Sequence, residues 1–459
     1  MQSIKVLVHG CFDILHHGHL AHLRAAKSFG NYLVVSVTSD RFVNKGPGRP
    51  YFNSTQRMAM LGALDLVDEV ILSDSPTAIN SINLVKPNFY VKGPDYKDRT
   101  KDVTGEIYNE EAAVKSHGGQ LVFTDDETFS SSLILNRFFM NWTDDQLRVI
   151  DKVKALGGLS AIEKLFDALS KEKVLVVGEP ITDVYRFCTP ENISSKSPSI
   201  SARFQYEEKY FGGAWAITAH LKDFVEYVGL LYPGGMKIPE KVRYISLDKS
   251  QRIFEVTDME SDCWINPDEE YFNGLVLERA SRSDICILAD FGHRLFEGSL
   301  LSELNQIKCF VGLNVQTNSS NYGFNLFRKH RRFDLLSLDT REARLASHDR
   351  VSDPLTVARR LKNELTGRHL ALTIGSGGAW LFTRGQECHS PAFSDSVIDA
   401  TGAGDAFFAL ATCLVKVGAD PHQVLFLSNV FAGLKTRIIG NKTAVSKASL
   451  LKAVASILK

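Results

Sequence analysis

"VLVHGCFDILHHGHLAHL", Val6 to Leu23, is the stretch that decides how the chain begins to fold. A short apolar, β-rich run closes on Gly10, the chain turns through Asp13, and "LAHLRAAKSFG" then carries helical periodicity to a glycine stop. That is strand, turn, helix. Three histidines, His16, His17 and His19, crowd around Gly18 at the helix mouth. Free backbone N–H groups and the macrodipole favour anions at such a place. Imidazoles held there can donate hydrogen bonds to phosphate oxygens and stabilise charge as a phosphoanhydride breaks. Gly18 lets backbone approach a ligand closely. A metal site would need a third ligand that the motif does not supply, and incidental surface histidines would not come with this strand–turn–helix setting. His17 reads as a spacer.

Outward from this stretch the same alternation continues. "NYLVVSVTSD" is a buried strand, "STQRMAMLGAL" a capped helix, "VDEVIL" a third strand, and "NFYVKGPDY" and "QLVFTDD" extend the series. Strands alternating with helices predict a parallel, doubly wound α/β sheet over residues 1–140. Residues 141–172 are charged, helical and without a strand, and are expected to form a helical linker. A second alternating run opens at "KVLVVGEPITDVY" and passes through "DICILADFG", "IKCFVGLN", "FDLLSLDTREA" and "HLALTIGSGGAWLF". It ends in helices after "DATGAGDAFFALATCL". Residues 173–459 are therefore expected to form a second α/β domain, and each domain is large enough for its own core.

Composition removes several classes. At 459 residues the chain is too long for one ordinary domain, and its formal net charge of zero argues against a protein that grips nucleic acid through phosphates. No run approaches the roughly 20 apolar residues that span a membrane. Seven cysteines lie scattered without CxxC pairs or zinc-like spacing, which fits a reducing compartment. "MQSIKVLVHG" enters a strand at once, leaving no room for a signal peptide. The expected location is the cytoplasm, and a homo-oligomer is compatible with all of this.

"GCFDILHHGH" resembles the GxFD…HxGH signature of the nucleotidyltransferase superfamily, which includes cytidylyltransferases and adenylyltransferases. "KGPGRPYFNSTQRMAML", "KPNFYVKGPDY" and "FSSSLI" follow in the order found in the adenylyltransferase half of the bifunctional heptose kinase/adenylyltransferases. The resemblance implies that His16 and His19 stabilise the transition state at the α-phosphate, and that Lys45 and Arg57 neutralise the triphosphate or incoming phosphate. It places Gly10, Phe12, Asp13, Gly18, Lys92, Gly93 and Asp95 around the nucleotide or acceptor. Ser131 and Ser132 would hold phosphate at a second helix N-terminus. A surface charge or a plain N-cap is the commoner fate of each such residue taken alone. The ordered set is what lifts them. Mg²⁺ would clamp the β- and γ-phosphates.

The second domain has its own loop. Gly402, Ala403, Gly404 and Asp405 lie between a strand end and a strongly apolar helix. Small residues there let backbone amides face a transferring phosphoryl group, and Asp405 could take the proton of an attacking hydroxyl. At a helix N-terminus that carboxylate should stay ionised near neutral pH, because the dipole favours its charged form. A bare GxGD is more often a helix cap. The longer "DATGAGDAFF" resembles the ribokinase-like (PfkB) sugar-kinase signature, with "GEPITDVY", "YFGGAWAIT", "LDTREA" and "LTIGSGGAWLF" standing where that family has its other motifs. By that likeness Asp405 is the general base, and Gly402, Ala403 and Gly404 build the anion hole. Asp183, Gly212 and Gly213 would contact the sugar, and Glu342 would order Mg²⁺. Gly375, Gly377 and Asn429 would lie near the ATP base and ribose, with Asp399 holding a monovalent cation.

The chain also departs from that pattern. Glu179, Ala216 and Asp339 replace an Asp and two Asn of the family motifs, and "GLNVQTN" stands where an Asp-Pro-Lys is common. The kinase half comes second here, whereas in the bifunctional heptose enzymes it comes first. The expected function is phosphorylation of a sugar or sugar phosphate similar to heptose 7-phosphate, joined to nucleotidyl transfer from ATP or CTP onto a sugar 1-phosphate. The alternative is a cytidylyltransferase for a glycerol- or polyol-type phosphate carrying a ligand-sensing, non-catalytic kinase-like domain.

Overall fold

β1 (Lys5–Gly10) lies at the centre of a five-stranded sheet with β2 (Tyr32–Thr38), β3 (Glu69–Ser73), β4 (Phe89–Lys92) and β5 (Gln120–Phe123), in the order β3-β2-β1-β4-β5. Every pairing in it is parallel. The computed structural model describes residues 3–43, 49–96, 106–125, 142–193, 196–234, 238–247, 251–258, 268–318, 321–365, 368–394 and 397–459. β1 is apolar without alternation because both of its faces are covered. Val6 and Val8 pack on one side with Leu23, Leu33 and Val35, and Leu7 packs on the other with Val34, Tyr90 and Ile82. The helix Ser54–Gly62 starts where the sequence places a cap: Asn53 accepts from the Gln56 N–H at 3.0 Å and Gln56 answers in a capping box.

The chain divides into two compact units, Met1–Thr143 with Lys447–Lys459, and Asp144–Ser446. Two boundaries thus differ from the sequence-based division. The helices Asp144–Ala155 and Gly158–Leu169, expected as a linker, belong to the second unit, and the C-terminal helix Lys447–Ile457 to the first. Ile162, Phe166 and Leu169 line one buried stripe of the second of these helices.

In the second unit β6 (Lys173–Gly178) is followed by β7 (Pro180–Ile193), β8 (Ile200–Gly213), β9 (Tyr227–Leu231), β10 (Glu240–Ser246) and β11 (Gln251–Asp258). Then come β12 (Ile285–Asp290), β13 (Phe310–Val315), β14 (Leu335–Asp339), β15 (His369–Thr373), β16 (Ala379–Phe382) and β17 (Glu387–Ser390). The main sheet has eight strands in the order β17-β16-β15-β14-β13-β12-β6-β9, parallel except for the β15-β16-β17 edge. A separate four-stranded sheet, β11-β10-β7-β8, stands beside it. The helix Ala403–Lys416 is buried along nearly its whole length, and it approaches β13 so closely that a Cβ on Gly312 would meet Thr412 at 2.5 Å. Among the described residues no helix is long and apolar enough to cross a membrane.

Candidate active sites

The first site forms where the order of the five-stranded sheet reverses, at the carboxyl end of β1 between β2 and β4. Ligands of open α/β sheets bind outside such a switch point. Gly10 ends β1, and Phe12 takes the left-handed region with φ of 50°. Asp13 is buried and accepts from the Phe52 N–H at 3.0 Å. His16 caps the helix His17–Lys27 in an extended conformation, and its carbonyl accepts from the His19 N–H at 2.9 Å. Three-residue spacing turns both rings to one face. They stack with centroids 3.9 Å apart, while the ring of Phe12 stands 5.3 Å from His19. His16, Gly18 and His19 are half-buried and His17 is exposed, as a spacer would be.

The basic residues are disposed less simply. Arg57 is fully buried and donates to the carbonyls of Phe52 at 2.9 Å and Thr38 at 2.8 Å, to the Cys11 carbonyl, and to Asp40 at 2.6 Å. In this arrangement its guanidinium ties the turn after β1 to the end of β2. Lys92 closes β4, pairs with buried Glu110, and holds its ammonium 4.1 Å over the Tyr96 ring. Gly93 follows it directly. Lys45, Ser131, Ser132 and the side chain of Asp95 lie outside the described residues.

His9 is a residue that sequence reasoning does not single out. Its Nδ1 lies 3.0 Å from the Ser36 hydroxyl and its Nε2 3.4 Å from Thr38. Burial pushes its pKa down to about 4, helped by the charges of Lys92 and of Lys452 from the C-terminal helix. It is a neutral imidazole one residue before the motif glycine.

In the second unit Gly402 caps the helix Ala403–Lys416 with φ of +78°, a conformation only glycine adopts cheaply. Asp405 sits in the first turn, buried, with its Oδ1 accepting from the Gln316 amide at 2.7 Å. Burial and then the charge of Asp183 push its pKa up to about 6, against Lys241, Lys435 and the Gln316 hydrogen bond. The pull of the helix dipole toward the charged form is thus opposed by burial. Lys435 is buried at the end of the helix Pro421–Lys435 and donates to the carbonyls of Thr401 at 2.7 Å and Gly440 at 2.6 Å. It pins the loop before Gly402. Asp399 accepts from the Tyr185 hydroxyl at 2.6 Å, the Gly440 N–H at 2.8 Å and the Thr401 N–H at 3.0 Å. Burial alone would raise its pKa, but these donors, Tyr185 foremost, leave it lowered.

Asp183 on β7 is buried, paired with Arg243 and approached by the Asn441 amide at 3.2 Å. A Cβ on Gly212 would meet its Oδ2 at 2.2 Å, so only glycine fits opposite it. The β7–β10 register sets Lys241 directly across from Asp183. Glu342 forms a capping box with Asp339, donating its N–H at 2.7 Å and accepting at 2.8 Å, and it also accepts from the Thr317 N–H at 3.3 Å. Burial, then Asp339, pushes Glu342 up to about 8. Gly375 and Gly377 make an exposed turn between β15 and β16. Asn429 is buried and donates to the Ser390 carbonyl at 3.0 Å, next to that edge. Asp183, Asp405 and Glu342 therefore converge with Lys241, Lys435 and Gln316, which the sequence did not single out.

Glu179 does something else. Its wholly buried carboxylate accepts the N–H groups of Phe291 at 2.8 Å, His293 at 3.0 Å and Leu295 at 2.9 Å. It shapes the loop after β12 rather than facing an acceptor or a metal ion. Among the described residues no group of three or more His, Cys, Asp or Glu forms a metal cage. Both oxygens of Glu342 already accept backbone N–H groups, so it would meet an ion such as Mg²⁺ through the ion's water rather than directly.

Residues 7–137 match the cytidylyltransferase-like family, and residues 314–447 match the pfkB family of carbohydrate kinases. The chain is a nucleotidyltransferase-like domain fused to a pfkB carbohydrate-kinase domain. It is similar to the bifunctional protein HldE of Methylobacillus flagellatus, 42% identical over 122 residues, which is 26% of this chain and 24% of that protein. The HldE of Campylobacter fetus is 45% identical over 107 residues, 23% of each chain. The chain thus spans about a quarter of the length of these curated relatives. Solved structures similar to it include a ribokinase from Thermotoga maritima, with 14% identity, a TM-score of 0.47, and coverage of 62% of this chain and 99% of that one. Another is phosphofructokinase-2 from Escherichia coli in complex with fructose-6-phosphate, with 11% identity, a TM-score of 0.48, and coverage of 63% and 100%.

Proposed function

We propose that the chain is a bifunctional enzyme of sugar-nucleotide synthesis. The second unit phosphorylates a sugar or sugar phosphate with ATP. The first joins a sugar 1-phosphate to a nucleotide from ATP or CTP and releases pyrophosphate. In that step an acceptor phosphate oxygen attacks the α-phosphorus in line as the pyrophosphate oxygen leaves, and positioning and charge neutralisation supply most of the rate. His16 and His19 would donate to the α-phosphate. Asp405 would accept the acceptor proton beside the amides of Gly402 to Gly404. Mg²⁺ would serve both halves, Glu342 helping to order it in the kinase, with a monovalent cation by Asp399. The cytoplasm, where these nucleotides are made, is the proposed location.

The observation that carries this reading over a ligand-sensing second unit is Asp405 itself. A carboxylate kept buried behind a glycine-capped helix start, under the charges of Lys241 and Lys435, is costly unless it is used. Ala216 in the substrate loop, and Glu179 spent on backbone, favour the sensing alternative. Incubation with each NTP and a panel of sugars, sugar phosphates and sugar 1-phosphates tests both halves. Products are identified by mass, and ADP release is compared between wild type and Asp405→Ala. ADP release that needs acceptor and is lost in the variant supports the bifunctional enzyme; ATP binding with no transfer supports the sensor.

A further inference from the structure

The stretch "GLNVQTN", which stands in place of an Asp-Pro-Lys, is not used by the proposed chemistry, yet it delivers a side chain to its centre. Gln316 is the residue after β13. Its N–H donates to the Asp290 carbonyl at 2.8 Å, and its own carbonyl accepts from the Asn325 amide at 3.2 Å. Asn325 also donates to the Asp290 carboxylate at 2.9 Å, and that carboxylate is held by Lys329 at 2.8 Å and His330 at 2.7 Å. The main chain of Gln316 is thus anchored on a buried, charged network. From that anchor its Nε2 reaches Asp405 Oδ1 at 2.7 Å, while Oδ2 of Asp405 has no hydrogen-bond partner among the described residues.

We propose that Gln316 is the positioning residue for the kinase base: it holds Oδ1 of Asp405 and reserves Oδ2 for the acceptor proton. The inference rests on the kinase reading above. As the acceptor oxygen bonds to the γ-phosphorus, its proton passes to Oδ2, and the bond from that phosphorus to the departing ADP oxygen breaks. A neutral amide suits the task because it orients a carboxylate without forming an ion pair that would weaken its basicity. The charged groups acting around Asp405 are Asp183, Lys241, Lys435 and Glu342, so the site already has its cations. What it lacks without Gln316 is a directional donor.

The experiment compares wild type with Gln316→Met, which keeps length and loses the donor, and Gln316→Lys, which supplies a charged donor. Melting of the second unit confirms that each variant is folded. In Gln316→Met, kcat for phosphoryl transfer should fall about tenfold, the value of one hydrogen bond to a charged group, with KM for ATP within about twofold. The acid limb of its kcat profile should move to higher pH, and that of Gln316→Lys to lower pH. A purely structural role would not move the two limbs in opposite directions. Wild-type kcat and acid limb in Gln316→Met, or shifts of the same sign in both variants, overturn the inference while leaving the kinase standing. Should Gln316→Met not fold, the Gln316→Lys shift alone decides. Absence of turnover in wild type with every acceptor overturns the kinase reading and this inference together.

Discussion

The imidazole rings of His16 and His19 stack 3.9 Å apart at the start of a helix whose first turn faces the switch point of a parallel sheet. On the proposed reading these are two donors, side by side, to the α-phosphate. His16→Ala or His19→Ala should lower pyrophosphate release about 100- to 1000-fold, the usual loss for one donor to a developing oxyanion. Melting and any phosphoryl transfer should be unchanged. A coupled pyrophosphate assay reads this, and full release by either variant removes the assignment.

Glu179 gives a pH prediction. Burial, then the charge of Asp290, pushes its pKa up to about 8, against the N–H groups that donate to it. An unfolded carboxyl titrates near about 4.3. The folded pKa is the higher one, so the stability it contributes is full below the unfolded value and is lost as pH rises through about 8. Glu179→Gln is neutral at every pH and mimics the protonated acid, so it should match wild type to within about 1 kcal/mol at low pH. Relative to wild type the variant should gain stability as pH rises toward about 8. Urea midpoints measured across that range test it; a gap constant with pH would refute it.

What was legible in the sequence follows from what burial does to composition. β1 and β6 are covered on both faces, so each reads as an unbroken apolar run ending in glycine, and the loops that follow stand out. β7 and β8 are different. In β8 Arg203, Gln205 and Glu207 alternate with Ala202, Phe204 and Tyr206 at the two-residue period of a strand, but most of it is exposed and no long apolar run marks it out. The four-stranded sheet escapes sequence reasoning for that reason, and with it Lys241 and Arg243, which reach Asp183 only through the β7–β10 register. Glu179 and Arg57 show the converse. Their residue types suit a site, but hydrogen bonds to backbone far away in sequence, which no spacing reveals, occupy them.

The C-terminal helix bears on independence of the halves. Leu450, Leu451, Val454 and Ile457 are buried, and Lys447–Lys459 belongs to the first unit. Burying a large aliphatic side chain is worth roughly 1.5–3 kcal/mol. Deleting residues after Ser446 should therefore destabilise the nucleotidyltransferase unit by on the order of 5 kcal/mol and leave the kinase unit's melting intact. Calorimetry that resolves two transitions checks this. Loss confined to the kinase transition would show that the helix belongs to the other unit.

Asp405 carries the last prediction. The acceptor hydroxyl must lose its proton as phosphoryl transfer proceeds, and Asp405 lies in the first turn behind Gly402 with one oxygen held by Gln316. Burial pushes its pKa up to about 6, still below neutral, so it is ionised at pH 7 and becomes protonated as pH falls. Phosphoryl transfer by wild type should therefore decline below a midpoint near 6. Asp405→Asn keeps the shape and can still accept from Gln316, but it cannot take a proton. It should cost roughly 100- to 10,000-fold in kcat, the range for a general base, and lose the acid limb. ATP affinity should change little, because on this reading the phosphate would be met by backbone amides, and nucleotidyl transfer should not change. Wild-type turnover in Asp405→Asn sinks the assignment. ATP binding by wild type with no transfer to any sugar or sugar phosphate would instead make the second unit a sensor, in which a base has nothing to do.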